Sequence, residues 1–189
     1  MKVAKVAKRR WLAHSLEWSE CTACPLHEFA FRHVLFRGVL PCEVLLIGEG
    51  PGKTEDNIGA PFVGRAGKLL DQWLDYIDAH RSVNVRWGLT NVVACRPTGE
   101  LGGENREPLP AELAECSPRV SEIIQIAEPR IIVCVGRVAE RVFRRYQRVN
   151  VPSFYLIHPA AVLRAGGAGS ELNTSVLTGF RSYIDGCLP

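Results

Sequence analysis

The first residues that could do chemistry lie in a glycine-rich stretch that carries carboxylates. Gly48-Glu49-Gly50-Pro51-Gly52 follows the apolar run Val44–Ile47, and Glu55 and Asp56 come shortly after it. An apolar run that ends in such a loop predicts a buried strand followed by a ligand-binding turn.

The same stretch has to be tested as a phosphate-binding loop, because Gly52-Lys53-Thr54 resembles the end of a G-x-x-x-x-G-K-[ST] motif. The first glycine of that motif should stand at position 47, which is Ile47. Pro51 also removes a backbone N–H from a loop that would work by presenting N–H groups. The two acidic residues would repel a triphosphate. We therefore predict that the protein uses no nucleoside triphosphate.

Cysteines form the second group. The chain has seven, and Cys21 and Cys24 stand in a C-x-x-C pair, a spacing that lets two thiolates reach one metal centre. Cys95 and Cys116 are the natural third and fourth ligands. Zinc, an iron–sulfur cluster and a redox pair are all compatible with the spacing. The redox pair is the weakest of these, because its motif should follow a strand and none is predicted before Cys21.

Three further side chains could contact a ligand. Asn91 and His158 each stand near the end of an apolar run, and Phe62 lies between Pro61 and Val63. Each has an ordinary structural reading when taken alone: a core phenylalanine, a turn-forming asparagine and a loop histidine. Strand ends that meet at one edge of a sheet would bring all three together.

The elements that must position these residues alternate along the chain. Apolar runs predict strands, and stripes with a period of 3.6 residues predict helices. The alternation predicts a three-layer α/β/α fold with a central four-stranded parallel sheet. The predicted strands are 44–47, 85–93, 130–135 and 152–157, and the main helices are 68–78, 110–127, 137–147 and 171–186.

Length and composition predict one domain over residues 1–189, with a basic N-terminal tail over about residues 1–10. The net charge of +3 is small, but basic residues cluster in that tail and over residues 141–148, which favours nucleic acid as a partner.

No apolar stretch approaches the roughly 20 residues of a membrane span, and no signal peptide is recognisable. We expect a cytoplasmic monomer with no membrane partner.

Five segments, taken in order, resemble the iron–sulfur (family 4) uracil-DNA glycosylases. Each segment alone is a modest signal, and together they span residues 21–164. They are Cys21-Thr22-Ala23-Cys24-Pro25-Leu26, Gly48–Gly52 with Glu55-Asp56, Gly59–Gly67, Thr90–Pro97 and His158–Arg164.

This resemblance implies a uracil-DNA glycosylase-like fold and an enzyme of base excision repair. The enzyme would flip uracil out of single- or double-stranded DNA and hydrolyse its N-glycosidic bond, leaving an abasic site. The resemblance also implies a [4Fe–4S] cluster held by Cys21, Cys24, Cys95 and Cys116, and a location at the nucleoid. A catalytically weak nucleic-acid-binding module of the same fold is the alternative.

The resemblance assigns roles within the predicted site. Phe62 would stack on the flipped uracil, and the Asn91 amide would pair with its O4 and N3–H edge. His158 would donate to O2, where negative charge develops as the base leaves. Gly50, Pro51 and Gly52 would line the base pocket, and backbone N–H groups near Gly50 would share the stabilisation of the leaving base. The gap left by the base would be filled by Leu163 or Arg164.

The residue that orients the water is left open. Glu49 and Glu55 are both candidates to lie beside the cationic sugar, and Glu55 could instead exclude the C5 methyl group of thymine. The best-known uracil-DNA glycosylases carry an aspartate two residues after the first glycine of this loop. Gly50 occupies that position here.

Overall fold

The structure is a computed structural model that describes residues 2–188. Met1 and Pro189, the two ends of the predicted single domain, lie outside the described residues. The helices are α1 (Lys2–Ser19), α2 (Leu26–Phe29), α3 (Lys53–Ile58), α4 (Arg65–Ala79), α5 (Pro110–Ala127), α6 (Arg137–Tyr146), α7 (Pro159–Arg164) and α8 (Glu171–Cys187). The strands are β1 (Arg37–Gly38), β2 (Val44–Gly48), β3 (Trp87–Asn91), β4 (Ile131–Val135) and β5 (Ser153–Leu156).

The strands form one sheet in the order β1-β3-β2-β4-β5. Strands β2, β3, β4 and β5 run parallel, as the alternation of strands and helices predicts. The sheet has five strands rather than the predicted four, because β1 pairs antiparallel with β3 at the edge. A two-residue strand has no periodic pattern, so the sequence does not reveal it.

Helices cover both faces of the sheet, and alternate residues of β2 point to opposite layers. Val44 and Leu46 pack in one apolar core with α4 and α8, whereas Leu45 and Ile47 pack in another with α5 and α6. Every residue of β2 is buried, as expected for a parallel strand with helices on both sides. The predicted three-layer α/β/α class is therefore confirmed.

Part of the predicted basic N-terminal tail, over about residues 1–10, is helical. Helix α1 begins at Lys2 and packs against α5, with Ala7 and His14 buried. The Glu122 carboxylate accepts hydrogen bonds from the Trp18 indole N–H and from His14, each at 2.8 Å. The apolar residues of α1 form no strong stripe along one side of the helix, so its extent depends on packing against α5. Among the described residues, no helix is both long and apolar enough to cross a bilayer.

The parallel strands deliver their carboxyl ends to one edge of the sheet. Gly48 of β2 lies directly beside Asn91 of β3, and the loops after β4 and β5 follow on the other side of β2. The strand order therefore reverses at β2, with β3 on one side and β4 on the other. Open α/β sheets bind their ligands at such a point.

Candidate active site

Gly48 allows two predicted site residues to meet beside β2. A Cβ atom at this position would lie 2.5 Å from Phe62 Cζ and closer still to Asn91 Oδ1. No side chain fits without displacing one of them. The glycine at the end of the strand is therefore required by the close approach of the Phe62 ring and the Asn91 amide.

Phe62 is held in an unusual backbone conformation. Its φ is 57°, in the left-handed region that a bulky residue rarely adopts, and its side chain is only 6% exposed. Gly67, in the first turns of α4, packs so closely that a Cβ there would overlap the Phe62 carbonyl group. Backbone strain of this kind is found where a side chain must be presented in one direction.

Glu55 stabilises the loop that carries Phe62. Its carboxylate accepts backbone hydrogen bonds from Gly52 at 3.2 Å, Val63 at 3.0 Å and Gly64 at 2.7 Å. The contact with Gly52 caps the start of α3, while the other two hold the segment that follows Phe62. A carboxylate with three backbone donors is engaged as an acceptor within the loop itself.

Asn91 ends β3 with its backbone fixed and its amide turned toward the site. The Arg119 guanidinium donates to its carbonyl oxygen, and the residue is 2% exposed. Within residues 2–188 the side-chain amide makes no hydrogen bond to protein, although it lines the cavity described below. A buried amide without a protein partner is available to pair with a ligand.

His158 caps α7, and the cap defines its tautomer. The backbone N–H of Ala160 donates to His158 Nδ1 at 3.1 Å, so the ring proton of the neutral imidazole lies on Nε2. Burial lowers the pKa of His158 below its ordinary value, Arg164 acts in the same direction, and Glu55 opposes them. The ring therefore enters the site as a neutral donor at physiological pH.

Glu49 is the half-buried carboxylate that faces the site. Burial raises its pKa above the ordinary value, Glu107 adds to the effect, and Arg141 opposes it. In contrast to that of Glu55, the Glu49 carboxylate accepts no hydrogen bond from another described residue. Its ionised form is therefore poorly solvated and available to a water molecule or a cation.

These side chains line a single cavity of about 400 Å³, a volume typical of small-molecule sites. Predicted residues that line it are Glu49, Gly50, Gly52, Glu55, Phe62, Asn91, His158 and Arg164. Leu163 instead lines an adjoining depression, together with Arg65 and Arg164. Pro51 is buried and does not line the cavity.

Four cysteines gather at a second place, between the end of α1 and α5. Cys21, Cys24, Cys95 and Cys116 line a common small cavity, and all four thiols are free. Burial raises the pKa of Cys95, and the thiols of Cys116, Cys24 and Cys21 act in the same direction. Four thiols that line one cavity form a set of soft ligands for a metal centre.

The loop that carries the C-x-x-C pair is held by two histidines. The His27 Nδ1–H donates to the Cys24 carbonyl at 2.7 Å, and the His33 Nε2–H donates to the Cys21 carbonyl at 2.9 Å. Over residues 2–188, no three His, Cys, Asp or Glu side chains are grouped closely enough to hold a metal ion. Four cysteine thiols are the donor set that an iron–sulfur cluster takes, so the chemistry of these residues fits the cluster that the resemblance implies.

Comparison with known proteins relates this arrangement to a family. The model of the uracil DNA glycosylase superfamily matches residues 38–177. Type-4 uracil-DNA glycosylases from Thermotoga maritima, Pyrobaculum aerophilum and Archaeoglobus fulgidus are 39%, 31% and 34% identical over 132, 185 and 169 residues. These alignments cover 70%, 87% and 78% of this chain, and 65%, 90% and 80% of the respective relatives.

The chain belongs to the type-4 family of the uracil-DNA glycosylase superfamily. The predicted family is thereby confirmed. All residues of the base-sized cavity fall within the matched segment, whereas Cys21 and Cys24 precede it. The roles that the resemblance gives to individual residues of this type-4 chain remain predictions.

Sequence reasoning missed one polar residue that lines the cavity. Asn105 lies in the loop before α5, and its amide donates to the Pro51 carbonyl at 3.5 Å. Arg96 anchors it by donating to Asn105 Oδ1 at 2.6 Å and to the Gly103 carbonyl at 2.6 Å. A polar residue in a glycine-rich loop has no sequence pattern that marks it as part of a site. The position of Asn105 becomes evident only from its hydrogen bond with Arg96.

Proposed function

We propose that this protein removes uracil from DNA by hydrolysing the N-glycosidic bond and leaving an abasic site. The observation that carries the proposal is the single cavity in which an unpaired amide, a neutral imidazole donor, an aromatic ring and a desolvated carboxylate converge. Membership of a family whose relatives are named uracil-DNA glycosylases supports the choice of base. The chain acts as one domain, without a nucleoside triphosphate, on DNA in the cytoplasm.

Recognition of the base falls to Phe62 and Asn91. The base leaves the stack and enters the cavity, where the Phe62 ring stacks against its face. The Asn91 amide donates to O4 and accepts from N3–H, an arrangement that cytosine cannot match because its donor and acceptor are exchanged. Fixation of the Asn91 carbonyl by Arg119 keeps the amide in this orientation.

Departure of the base is assisted by His158. When the bond between C1′ and N1 breaks, its electron pair stays with uracil, and the negative charge spreads onto O2. The Nε2–H of the neutral imidazole donates to that oxygen, together with backbone N–H groups near Gly50. The Ala160 N–H that occupies Nδ1 fixes the tautomer this step requires.

We assign the water to Glu49 rather than to Glu55. The sugar becomes cationic as uracil leaves, and a water oxygen then forms the new bond at C1′ while its proton passes to the carboxylate. Glu49 is half-buried and free to accept a hydrogen bond from that water, whereas the three backbone donors already occupy Glu55. Glu55 is therefore a positioning residue of the loop.

The flipped state is stabilised at the rim of the cavity. Leu163 and Arg164 lie on α7, next to His158, and border the depression that adjoins the base pocket. Leu163 enters the space vacated by the base, and the exposed Arg164 contacts a neighbouring phosphate. The same surface serves uracil in single- or double-stranded DNA.

The proposed cofactor is a [4Fe–4S] cluster bound by Cys21, Cys24, Cys95 and Cys116. The four-thiol set and the histidine-braced loop support this assignment. When bound, the cluster contributes structure by linking the C-x-x-C loop to Cys95 and to α5; it takes no part in hydrolysis. The thiols lose their protons when they bind iron.

The proposal is tested with an oligonucleotide that contains one uracil. After incubation with the purified protein, hot alkali should cleave the strand at the uracil and leave a matched thymine strand intact. A uracil strand that stays intact over many hours with excess iron-loaded protein would favour the binding-module alternative and contradict the proposed reaction.

A further inference from the structure

Helix α6 carries arginines on its solvent side that the proposed reaction does not use. Over residues 137–148 the chain has five arginines and one glutamate, a net charge of +4 that exceeds the +3 of the whole chain. All five arginines are exposed, whereas Ala139, Val142 and Phe143 are buried in the core that α6 shares with β2 and β4. Four of the arginines line an open depression of about 610 Å³ and are called the α6 arginine face: Arg137, Arg141, Arg144 and Arg145.

Carboxylates balance only part of the charge on this face. Arg144 pairs with Glu140 at 2.9 Å, and Arg141 pairs with Glu107. Both guanidinium groups remain exposed to solvent, where ion pairs are weak. The other two arginines of the face have no carboxylate at ion-pair distance within residues 2–188. The depression therefore carries an excess of positive charge.

The stability of the helix does not explain this arrangement. The helix dipole favours arginines in the last turn of α6, but it opposes Arg137 in the first turn. Arg137 and Arg145 each stand four residues from Arg141, and like charges at that spacing destabilise a helix. An anion that bridges these arginines would relieve the repulsion, so the face is suited to an anionic partner.

The arginine face begins beside the base cavity. Gly136, which precedes α6, packs so closely that a Cβ there would lie 3.3 Å from the His158 Cβ. The loop before α5 makes a second connection. Asn105 lines the cavity, and Glu107, two residues later, contacts Arg141 and lines a groove of about 200 Å³ between α5 and α6. A polymer with one unit in the cavity therefore has the arginine face within reach of its neighbouring units.

We propose that the α6 arginine face binds phosphates of the DNA strand on one side of the flipped nucleotide. This rests on the proposed function, which brings a DNA strand to the cavity. The planar guanidinium group suits phosphate because it donates two parallel hydrogen bonds and stays charged. The 10 residues of α6 extend about 15 Å, the rise of roughly four nucleotides. DNA is favoured over an acidic protein segment because the face adjoins the site that takes the nucleotide.

The two arginines without a carboxylate partner allow a test that breaks no ion pair. Arg137→Gln and Arg145→Gln each remove one charge from the face. Arg130→Gln is the matched control, because exposed Arg130 precedes β4 at the opposite edge of the sheet. Binding of a uracil-free duplex is measured by fluorescence anisotropy over a series of salt concentrations, with melting curves on the same samples. A probe without uracil keeps excision out of the measurement.

Each arginine variant should lose about one phosphate contact. The slope of log K against log salt concentration should become shallower by about 0.9, and binding at about 0.1 M salt should weaken about eightfold. The control should change neither quantity. Glu107→Gln should strengthen binding, because it frees Arg141 for phosphate. Single-turnover excision at saturating concentrations of Arg137→Gln or Arg145→Gln should match that of the unmodified chain, and the melting temperatures should not fall.

Shortened uracil duplexes locate the contact. A duplex cut close to the uracil on the side that faces α6 should give the same half-saturating protein concentration for the unmodified chain and for both arginine variants. A duplex cut on the other side should keep the variants weaker. A difference that persists on both shortened duplexes would overturn the proposed location.

Unchanged salt slopes in both arginine variants would overturn the proposal and leave an acidic protein segment as the occupant. An equal loss in Arg130→Gln would also overturn it, because the effect would then follow total charge rather than the face. An unmodified chain that binds DNA through the face but leaves uracil in place contradicts the proposed function instead, which keeps the two failures distinct.

Discussion

Replacement of each loop glutamate by glutamine separates the chemical role of Glu49 from the structural role of Glu55. The Glu49 carboxylate is desolvated and accepts no hydrogen bond from the described protein, so Glu49→Gln removes a base and little else. General bases contribute about 10²- to 10⁴-fold to a rate. We expect a fall of that size in the single-turnover rate, with an unchanged or slightly higher melting temperature, because burial opposes ionisation of this carboxyl group.

Glu55→Gln should behave in the opposite way. Glutamine keeps one acceptor oxygen but turns an NH₂ group toward backbone donors, so the loop loses charge-assisted bonds to Gly52, Val63 or Gly64. A hydrogen bond to a charged group is worth about 1.5–3 kcal/mol. At about 3 °C per kcal/mol for a chain of this size, the melting temperature should fall by roughly 5–9 °C.

The assay is single-turnover release of uracil across a pH series, with melting curves on the same samples. The active form of Glu49 is ionised, so the rate should fall as the pH drops through its pKa, which burial raises above the ordinary value. Glu49→Gln should lose this acid limb, and Glu55→Gln should retain it. An undiminished rate in Glu49→Gln, or an acid limb that disappears only in Glu55→Gln, would refute the assignment.

Three further outcomes follow from the geometry. His158→Ala should slow single-turnover excision by about 10²- to 10³-fold through loss of the donor to O2, and a rate within twofold of the unmodified chain would exclude that role. Gly48→Ala should abolish most activity and lower the free energy of unfolding by about 1–3 kcal/mol through overpacking, measured by urea denaturation. Gly99→Ala, where a Cβ meets open space, is its control and should be silent in both measurements. Serine in place of any one of the four proposed ligands should remove the brown colour and bound iron, whereas Cys187→Ser should keep both; full iron content and colour in such a ligand variant would contradict the cluster assignment.

The main architecture could be predicted because burial in a parallel sheet leaves a strong pattern. The runs Val44–Ile47 and Ile131–Val135 are apolar on both faces, and the helices between them show clear stripes. Strand β1 could not be predicted, since its two residues are defined by pairing with β3 alone. Helix α1 depends on packing against α5, a contact that lies far away in sequence.

The composition of the candidate site could be predicted better than its internal bonding. Strand ends placed Asn91 and His158 at one edge, and the structure brings both into the same cavity. The partners of Glu55 could not be foreseen, because they depend on the left-handed turn at Phe62. The buried Arg119 was also missed, since its acceptors are two backbone carbonyls and one hydroxyl that no motif encodes.

The most direct test of the central claim is the release of free uracil by the unmodified protein and by Asn91→Ala under single-turnover conditions. Free base is quantified by mass spectrometry from a strand with one uracil and, separately, one cytosine. The unmodified chain should release one uracil per strand and no cytosine, and Asn91→Ala should be slower by at least about 10²-fold, or roughly 2.7 kcal/mol of barrier. Equal rates for the two proteins, or no free uracil from either, would contradict the account.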